Sequence, residues 1–427
     1  MEILVLFGSM LLFIAIGLPI GYAIAASTII TFMMAGTVSL QMVSQSAFTG
    51  LDSFVLLAIP FFILAGILMS KGGVAKRLVD FADSIIGSVT GGIGMAAIVT
   101  GTLFSAMSGS GLATTSAVGS LMLPEMKRKG YAEDFSANLV ASAGSFGVVL
   151  PPSIPLVIYG VTVRDASIGD LFLAGIPGGL LMVVSLLIAC YFVSKKRGYR
   201  GSDTKPSIKG IAIAFKNGIF ALIAPIIILG GIYSGIFTPT ESAVVAVMYS
   251  LIVGVFIYRE LTYKKLKEAF YEAAVLNGII IFIIGFSDAM ARFLAIRNVP
   301  RQVSEAVLSI TDNPILIMLI INVFLLILGM VIDNIPAIII LSPILLPVVM
   351  EAGVDPLQFG IIIVLNLAIG YITPPYGATI LVAAAVGKVP VESLFKYGLI
   401  FAAVLCVPLM LVTYFPIFSS GFVALFR

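Results

Sequence analysis

Hydrophobic residues run along this chain in blocks long enough to cross a bilayer, which takes about 20 residues each. The blocks are Ile3–Ile16 carried on through Ile30, then Leu171–Val193, Ile219–Ile236, Val244–Ile257, Ile315–Ile332 and Leu394–Phe415. They predict membrane-crossing helices spread over the whole length. The opening "MEILVLFGSM" carries Glu2 and no basic region, which predicts a first span rather than a cleaved signal.

Two of the apolar stretches are broken by paired prolines. "FGVVLPPSIPLVIYG" (Phe146–Gly160) holds Pro151 and Pro152, and "YITPPYGATILVAAA" (Tyr371–Ala385) holds Pro374 and Pro375. Sliding the chain on itself so that Pro151 meets Pro374, an offset of 223 residues, also brings Met107 onto Met330 and Pro124 onto Pro347. Gly130 then meets Gly353, Gly147 meets Gly370 and Gly175 meets Gly398. Glycines and prolines in fixed register predict two related halves, a habit of transporters whose broken helices meet near the bilayer midplane. A plain kink is the simpler reading of one Pro-Pro. Two in register favour an ion site, because proline frees carbonyls one turn back and broken helices are tolerated only where buried or lining a wet cavity. Gly144 and Val148 stand beside the first break, Gly370 and Thr373 beside the second.

Polar islands lie between the blocks. "SAMSGSGLATTSAVGS" (Ser105–Ser120) reads as the tip of a re-entrant hairpin, its glycines letting the backbone turn and approach a ligand. Close helix packing is the competing reading, stronger for Ala113–Ala117 than for the Ser-Gly-Ser-Gly run. In the shifted half the tip becomes "GMVIDNIPA" (Gly329–Ala337), with Asp333 and Asn334 where Ser110 and Gly111 stand. An acid at membrane depth is a functional candidate; alternatively Asp333 caps the helix at Pro336. In "GFSDAMARFLAIRNVPR" (Gly285–Arg301), Asp288 and Arg292 are four apart and face each other on a helix. Either they form a local ion pair, or Arg292 or Arg297 meets a substrate carboxylate.

Composition agrees with the pattern. Of 427 residues, 60% are hydrophobic and 11% charged, against about half and about a quarter in soluble domains. Lys195, Lys196, Arg197, Arg200, Lys205, Lys209 and Lys216 crowd one connection, cytoplasmic by the positive-inside rule. Arg259, Lys264, Lys265 and Lys267 form a second basic segment, on that side or along an interfacial helix. The net charge of +3 therefore speaks for orientation and not for nucleic acid. The chain has no His, which removes His-ligated metals and His catalysis. Cys190 and Cys406 read as packing residues. Without a Walker loop, ATP is not consumed by this chain, and energy coupling would run on an ion gradient.

The words "IPFFILAG" (Ile59–Gly66), "SGSGLATTSAVGSLMLPEM" (Ser108–Met126), "LPPSIPLVIYG" (Leu150–Gly160), "GIFTPTESAVVA" (Gly235–Ala246) and "ITPPYGATI" (Ile372–Ile380) resemble the large membrane subunit of tripartite ATP-independent periplasmic (TRAP) transporters. The resemblance covers essentially the whole chain. It implies a non-enzymatic, multi-pass protein of the bacterial inner membrane that takes up an organic acid on a sodium gradient. No cofactor is implied beyond the coupling sodium ions. It implies two partners, a periplasmic substrate-binding protein and a small four-helix membrane subunit, expected here as a separate chain. The implied fold is an all-α inverted-repeat, elevator-type transporter with two re-entrant hairpins, broken helices and interfacial arm helices. On that plan residues 1–50 are scaffold, 51–194 the first repeat, 195–273 the basic loop with scaffold and arm helices, and 274–427 the second repeat. The resemblance places a first sodium site at Ser105, Ser110, Gly144, Val148 and Pro151, and a second at Gly329, Asp333, Gly370 and Thr373. The anion falls between the tips, near Ser108, Pro152, Ser153, Asn334 and Pro375, with Arg292 and Arg297 as carboxylate readers.

Overall similarity lies nearest the sialic-acid branch, with C4-dicarboxylates as the alternative substrate class. A stand-alone sodium/dicarboxylate carrier on the same hairpin plan is the runner-up. A passive channel would need a continuous polar stripe, and an intramembrane enzyme would need paired acids, a metal site or an activated nucleophile; the sequence offers isolated islands and scattered Asp, Glu and Ser instead.

Overall fold

The computed structural model describes residues 1–36, 39–201 and 207–426; Lys205 of the basic connection lies outside them. Among the described residues all regular structure is helical, and seven helices are long and apolar enough to cross a membrane. The chain is an all-α polytopic membrane protein. The fold follows from the solvent, since in hydrocarbon every backbone N–H and C=O must be satisfied within the protein.

Two of the apolar blocks are built differently from simple spans. The run from Ile3 to Ile30 is split into Glu2–Ala15 and Ile20–Ala35, packed against each other. Gly17 at φ +88° ends the first helix and Pro19 precedes the second, the usual glycine stop followed by a proline restart. The block Ile315–Ile332 falls largely in Pro314–Gly329, which is one arm of a hairpin. The second basic segment leads into Tyr263–Ile296, a single 34-residue helix that starts among lysines and continues into apolar sequence.

The two halves share one element order. The first runs Phe54–Lys71, Val74–Ile86, hairpin 1 (Gly92–Ser108 and Gly111–Arg128), Glu133–Ser145 broken at the Pro-Pro and resumed as Ile154–Thr162, then Ile168–Arg197. The second runs Tyr263–Ile296, Val299–Leu308, hairpin 2 (Pro314–Gly329 and Asn334–Glu351), Pro356–Gly370 broken and resumed as Ala378–Gly387, then Phe395–Tyr414. The 223-residue offset carries Gly111 onto Asn334, Arg128 onto Glu351 and Glu133 onto Pro356, all of them helix ends. Contacts between the halves are reciprocal: Gly111–Arg128 packs on Ala378–Gly387, and its counterpart Asn334–Glu351 packs on Ile154–Thr162. Such exchange is what a two-fold relation requires.

Counting crossings makes the repeat inverted. A hairpin returns to the face it left, and each broken helix crosses once. Five crossings therefore separate Phe54 from Tyr263: Phe54–Lys71, the first broken helix, Ile168–Arg197, Ile208–Tyr233 and Pro239–Ile257. The second half starts on the opposite face, and the hairpins open to opposite sides. Long-range pairs agree with the count. Lys71–Glu272 (3.1 Å) and Arg77–Glu260 (2.7 Å) tie one face, and Arg297–Glu2 (2.6 Å) ties the other. The first face carries the basic connection with Lys76, Lys127, Arg128, Lys129, Lys264 and Lys265; among the described basic residues, Arg164, Arg292, Arg297 and Arg301 belong to the other. That asymmetry makes the first face cytoplasmic.

The topology is open to direct labelling. In a chain with Cys190 and Cys406 replaced by Ala, Lys127→Cys at the end of hairpin 1 is expected to react with a membrane-impermeant maleimide only from the cytoplasmic side, and its counterpart Met350→Cys at the end of hairpin 2 only from the periplasmic side. Same-sided labelling of the two would contradict the inverted count.

Candidate functional site

Hairpin 1 turns at Gly109, whose φ of +61° suits glycine. Ser110 then caps the second arm, its Oγ accepting from the Ala113 N–H at 3.4 Å. Buried hydroxyls line the turn. Ser108 Oγ and Thr114 Oγ1 lie 3.0 Å apart, Ser105 Oγ donates to Thr114 Oγ1 at 3.4 Å, and Thr114 Oγ1 donates to the Ser110 carbonyl at 2.9 Å. The tip is seated in the first helix break, where the Ile154 N–H donates to the Gly109 carbonyl at 3.4 Å. Gly147 lets it approach, since a Cβ there would lie 2.8 Å from the Ser110 carbonyl oxygen. At Gly144 a Cβ would fall 1.8 Å from Thr115 Oγ1.

The prolines do what their chemistry dictates. Pro152 cannot donate to the carbonyl four residues back, that of Val148, and the Ser153 hydroxyl donates to it instead at 2.5 Å. Ser153 Oγ also accepts from the Leu156 N–H at 3.3 Å and so restarts the helix. The second break repeats the device. Pro375 leaves the Tyr371 carbonyl, which accepts from the Thr379 N–H at 3.2 Å and from Thr379 Oγ1 at 2.8 Å. Both carbonyls are held by hydroxyls; that of Val148, with one donor, keeps a lone pair for a cation, whereas that of Tyr371 already accepts two hydrogen bonds.

Hairpin 2 closes on the second break in the same way. Gly329 and Gly370 meet backbone to backbone, and a Cβ on Gly370 would lie 2.4 Å from the Gly329 carbonyl. Asp333 is the N-cap of Asn334–Glu351; its Oδ1 accepts from the Asn334 N–H at 2.6 Å and from the Tyr371 hydroxyl at 2.5 Å. Thr373 Oγ1 donates to the Ile369 carbonyl at 2.6 Å. The Asn334 amide is fully buried, with neither polar atom hydrogen-bonded to the protein. The tip of hairpin 1 adjoins the second break, for a Cβ on Gly111 would lie 3.4 Å from the Tyr371 ring.

Ser105, Ser108, Ser110, Gly144, Val148, Pro151, Pro152 and Ser153 thus share one neighbourhood, and Gly329, Asp333, Asn334, Gly370, Thr373 and Pro375 share its counterpart. The two arginines lie elsewhere. Arg292 is held by Asp288 at 2.8 Å and Thr49 Oγ1 at 3.1 Å, and it lines a 240 Å³ cleft with Arg164, Ile158, Val161, Ile339 and Pro343. Val161 is eight residues along the helix from Ser153, about 12 Å outward from the tips. Arg297 pairs with Glu2. Among the described residues no cluster of His, Cys, Asp and Glu has metal-site spacing, so carbonyls, hydroxyls and one carboxylate are the available donors, a set suited to a hard cation. Sequence reasoning missed Tyr371, although its counterpart under the 223-residue offset, Val148, is a site candidate: Val148 is named for its carbonyl, and a side-chain role does not carry across the repeat. It also missed Thr114 and Thr379, although Thr114 lies inside the first polar island.

A sequence model of the family described as "Tripartite ATP-independent periplasmic transporter, DctM component" matches residues 7–418. The chain is 44% identical to the isethionate TRAP transporter permease protein DctMQ of Oleidesulfovibrio alaskensis, over 96% of this chain and 65% of that protein, so it spans about two thirds of that relative. It is 37% identical to the sialic acid TRAP transporter large permease protein SiaM of Vibrio cholerae, over 94% of each. It is also 37% identical to the C4-dicarboxylate TRAP transporter large permease protein DctM of Pseudomonas aeruginosa, over 93% of this chain and 92% of that one. The fold is similar to that of the YdaH transporter of Alcanivorax borkumensis, with a TM-score of 0.62 at 13% identity, covering 87% of this chain and 86% of that one.

The close glycine contact gives a stability test. Gly370→Ala forces a methyl into the Gly329 backbone, and overpacking of this kind costs about 1–3 kcal/mol. A lower melting temperature in detergent is expected. Gly8→Ala, where a Cβ meets nothing within 4 Å, is expected to leave melting unchanged or slightly raised.

Proposed function

The chain belongs to the large-permease family of TRAP transporters, and on that premise we propose that it performs sodium-driven uptake of an organic acid handed over by a periplasmic binding protein. The observation that carries this reading is the convergence of half-helix ends. Four helices begin at the two tips and breaks: Gly111–Arg128, Ile154–Thr162, Asn334–Glu351 and Ala378–Gly387. Four end there: Gly92–Ser108, Glu133–Ser145 with its short 3-10 extension, Pro314–Gly329 and Pro356–Gly370. N-termini favour anions and C-terminal carbonyls favour cations, so one locus suits a sodium-coupled organic anion.

The first sodium ion takes oxygens from Ser105, Ser110, Gly144, Val148 and the Pro151 break. The second takes them from Gly329, Asp333, Gly370 and Thr373. The anion lies between, against Ser108, Pro152, Ser153, Asn334 and Pro375. Arg292, in the outer cleft, acts on an incoming carboxylate before it reaches the tips. Hairpins and broken helices move together as an elevator against the remaining helices, with the small four-helix subunit completing the scaffold. Sialic acid is the first substrate of this reading. The 44% identity to an isethionate permease favours a second, a small sulfonate, which the same helix N-termini suit.

The test is uptake of labelled sialic acid and labelled isethionate into proteoliposomes holding this chain and its small partner. An inward sodium gradient is imposed, with and without the binding protein. Uptake that needs both is expected. Sodium-driven uptake without the binding protein would point to a stand-alone carrier, and uptake indifferent to sodium would overturn the coupling. In the same vesicles Ser110→Ala and Asp333→Ala are each expected to raise the sodium concentration for half-maximal uptake; unchanged sodium dependence in folded protein would remove those residues from the ion sites.

A further inference from the structure

Tyr371 is fixed from both ends. Its N–H donates to the Leu367 carbonyl at 3.0 Å, and its own carbonyl is held by Thr379. Its side chain then spans two elements. The hydroxyl donates to Asp333 Oδ1 on hairpin 2, while the ring edge faces Gly111 on hairpin 1, where a Cβ would meet it at 3.4 Å. Gly111 is the first residue of the second helix of hairpin 1. No such bridge exists in the other half, where Val148 stands at the place of Tyr371 and Ser110 at the place of Asp333. The pair of tips therefore carries one carboxylate, and that carboxylate is gripped by a residue whose ring faces the opposite tip.

We propose that Tyr371 is a positioning residue that couples the two tips: it orients the Asp333 carboxylate for its cation and passes the cation's arrival to hairpin 1, where the anion is held. The inference rests on the sodium-coupled reading above. A cation that draws on Asp333 shifts the hydroxyl's partner, and the ring moves with it on the side that faces Gly111, where a Cβ would stand 3.4 Å from the ring and 3.2 Å from the Gly144 carbonyl. The anion's site thereby senses sodium without touching it. The bulky ring does the transmitting and the hydroxyl does the sensing, so Tyr371→Phe separates the two roles.

The experiment uses the purified full-length chain and the proteoliposomes described above. Sodium is titrated against thermal stabilisation, and the substrate concentration for half-maximal uptake is measured at low and high sodium. Wild type is compared with Tyr371→Phe, Asp333→Asn and the double variant. Tyr371→Phe is expected to raise half-saturating sodium about tenfold, the size of a hydrogen bond to a charged group. It is also expected to flatten the dependence of substrate half-saturation on sodium. Asp333→Asn keeps an acceptor for the hydroxyl without the charge, and adding Tyr371→Phe to it is expected to cause little further change, the non-additivity of residues that act through each other. A Tyr371→Phe chain that titrates like wild type would overturn the inference, as would a full additive loss in the double variant. A wild-type chain indifferent to sodium would bring down the sodium reading and this inference with it, a failure visible before any variant is compared.

Discussion

A peptide carbonyl or N–H left bare in hydrocarbon is costly enough that membrane proteins confine irregular backbone to places where the protein itself can satisfy it. This chain breaks two helices at Pro-Pro pairs and must meet that demand twice. Ser153 takes up the Val148 carbonyl, and Thr379 takes up the Tyr371 carbonyl. The hairpin tips cover what remains, with the Ile154 N–H on the Gly109 carbonyl and Gly329 pressed on Gly370. The glycines at 144, 147, 329 and 370 are needed because the tips come within backbone contact. Remove the breaks and there is no reason for the hairpins to reach midmembrane; remove the hairpins and the breaks stand open.

The inverted repeat gives this device two copies that open to opposite faces, and it gives a transporter two equivalent outlooks on one locus. Helix ends of both signs meet there, with one formal charge, on Asp333, among the tip residues. The copies are unequal in chemistry. A hydroxyl and a valine on one side stand in register with a carboxylate and a tyrosine on the other, so the two tips differ in charge and in the reach of their side chains.

Much of this was legible in the sequence, for physical reasons that can be named. Proline pairs, glycines and a Ser-Gly-Ser-Gly run are extreme residues in a helix, so their register betrayed the repeat and the hairpin tips through an otherwise low-complexity apolar chain. Asp333 stood out because charge is rare at that depth. The Ile3–Ile30 block reads as continuous by hydropathy, which does not feel the single Gly17–Pro19 stop. Ile315–Ile332 is apolar enough for a span, and only tertiary packing makes it a hairpin arm. Arg292 and Arg297 carry the right chemistry for a carboxylate, but Asp288 and Glu2 hold them in the outer part of the protein, and pairing between distant segments leaves no local signal. Tyr371 was missed although the repeat sets it on Val148, because Val148 is read for its carbonyl and its side chain offers no sign of a hydroxyl role.

The central claim is that the two helix breaks, with the tips seated in them, bind the coupling cations. It is tested most directly by locating a heavy monovalent cation. Crystals of the chain with sodium replaced by thallium would be measured for anomalous scattering. The account predicts one peak beside Ser110 and Val148 and another beside Asp333 and Gly370, both suppressed when sodium is restored in excess. Sodium-sensitive peaks elsewhere in the protein, with none at either break, would contradict it.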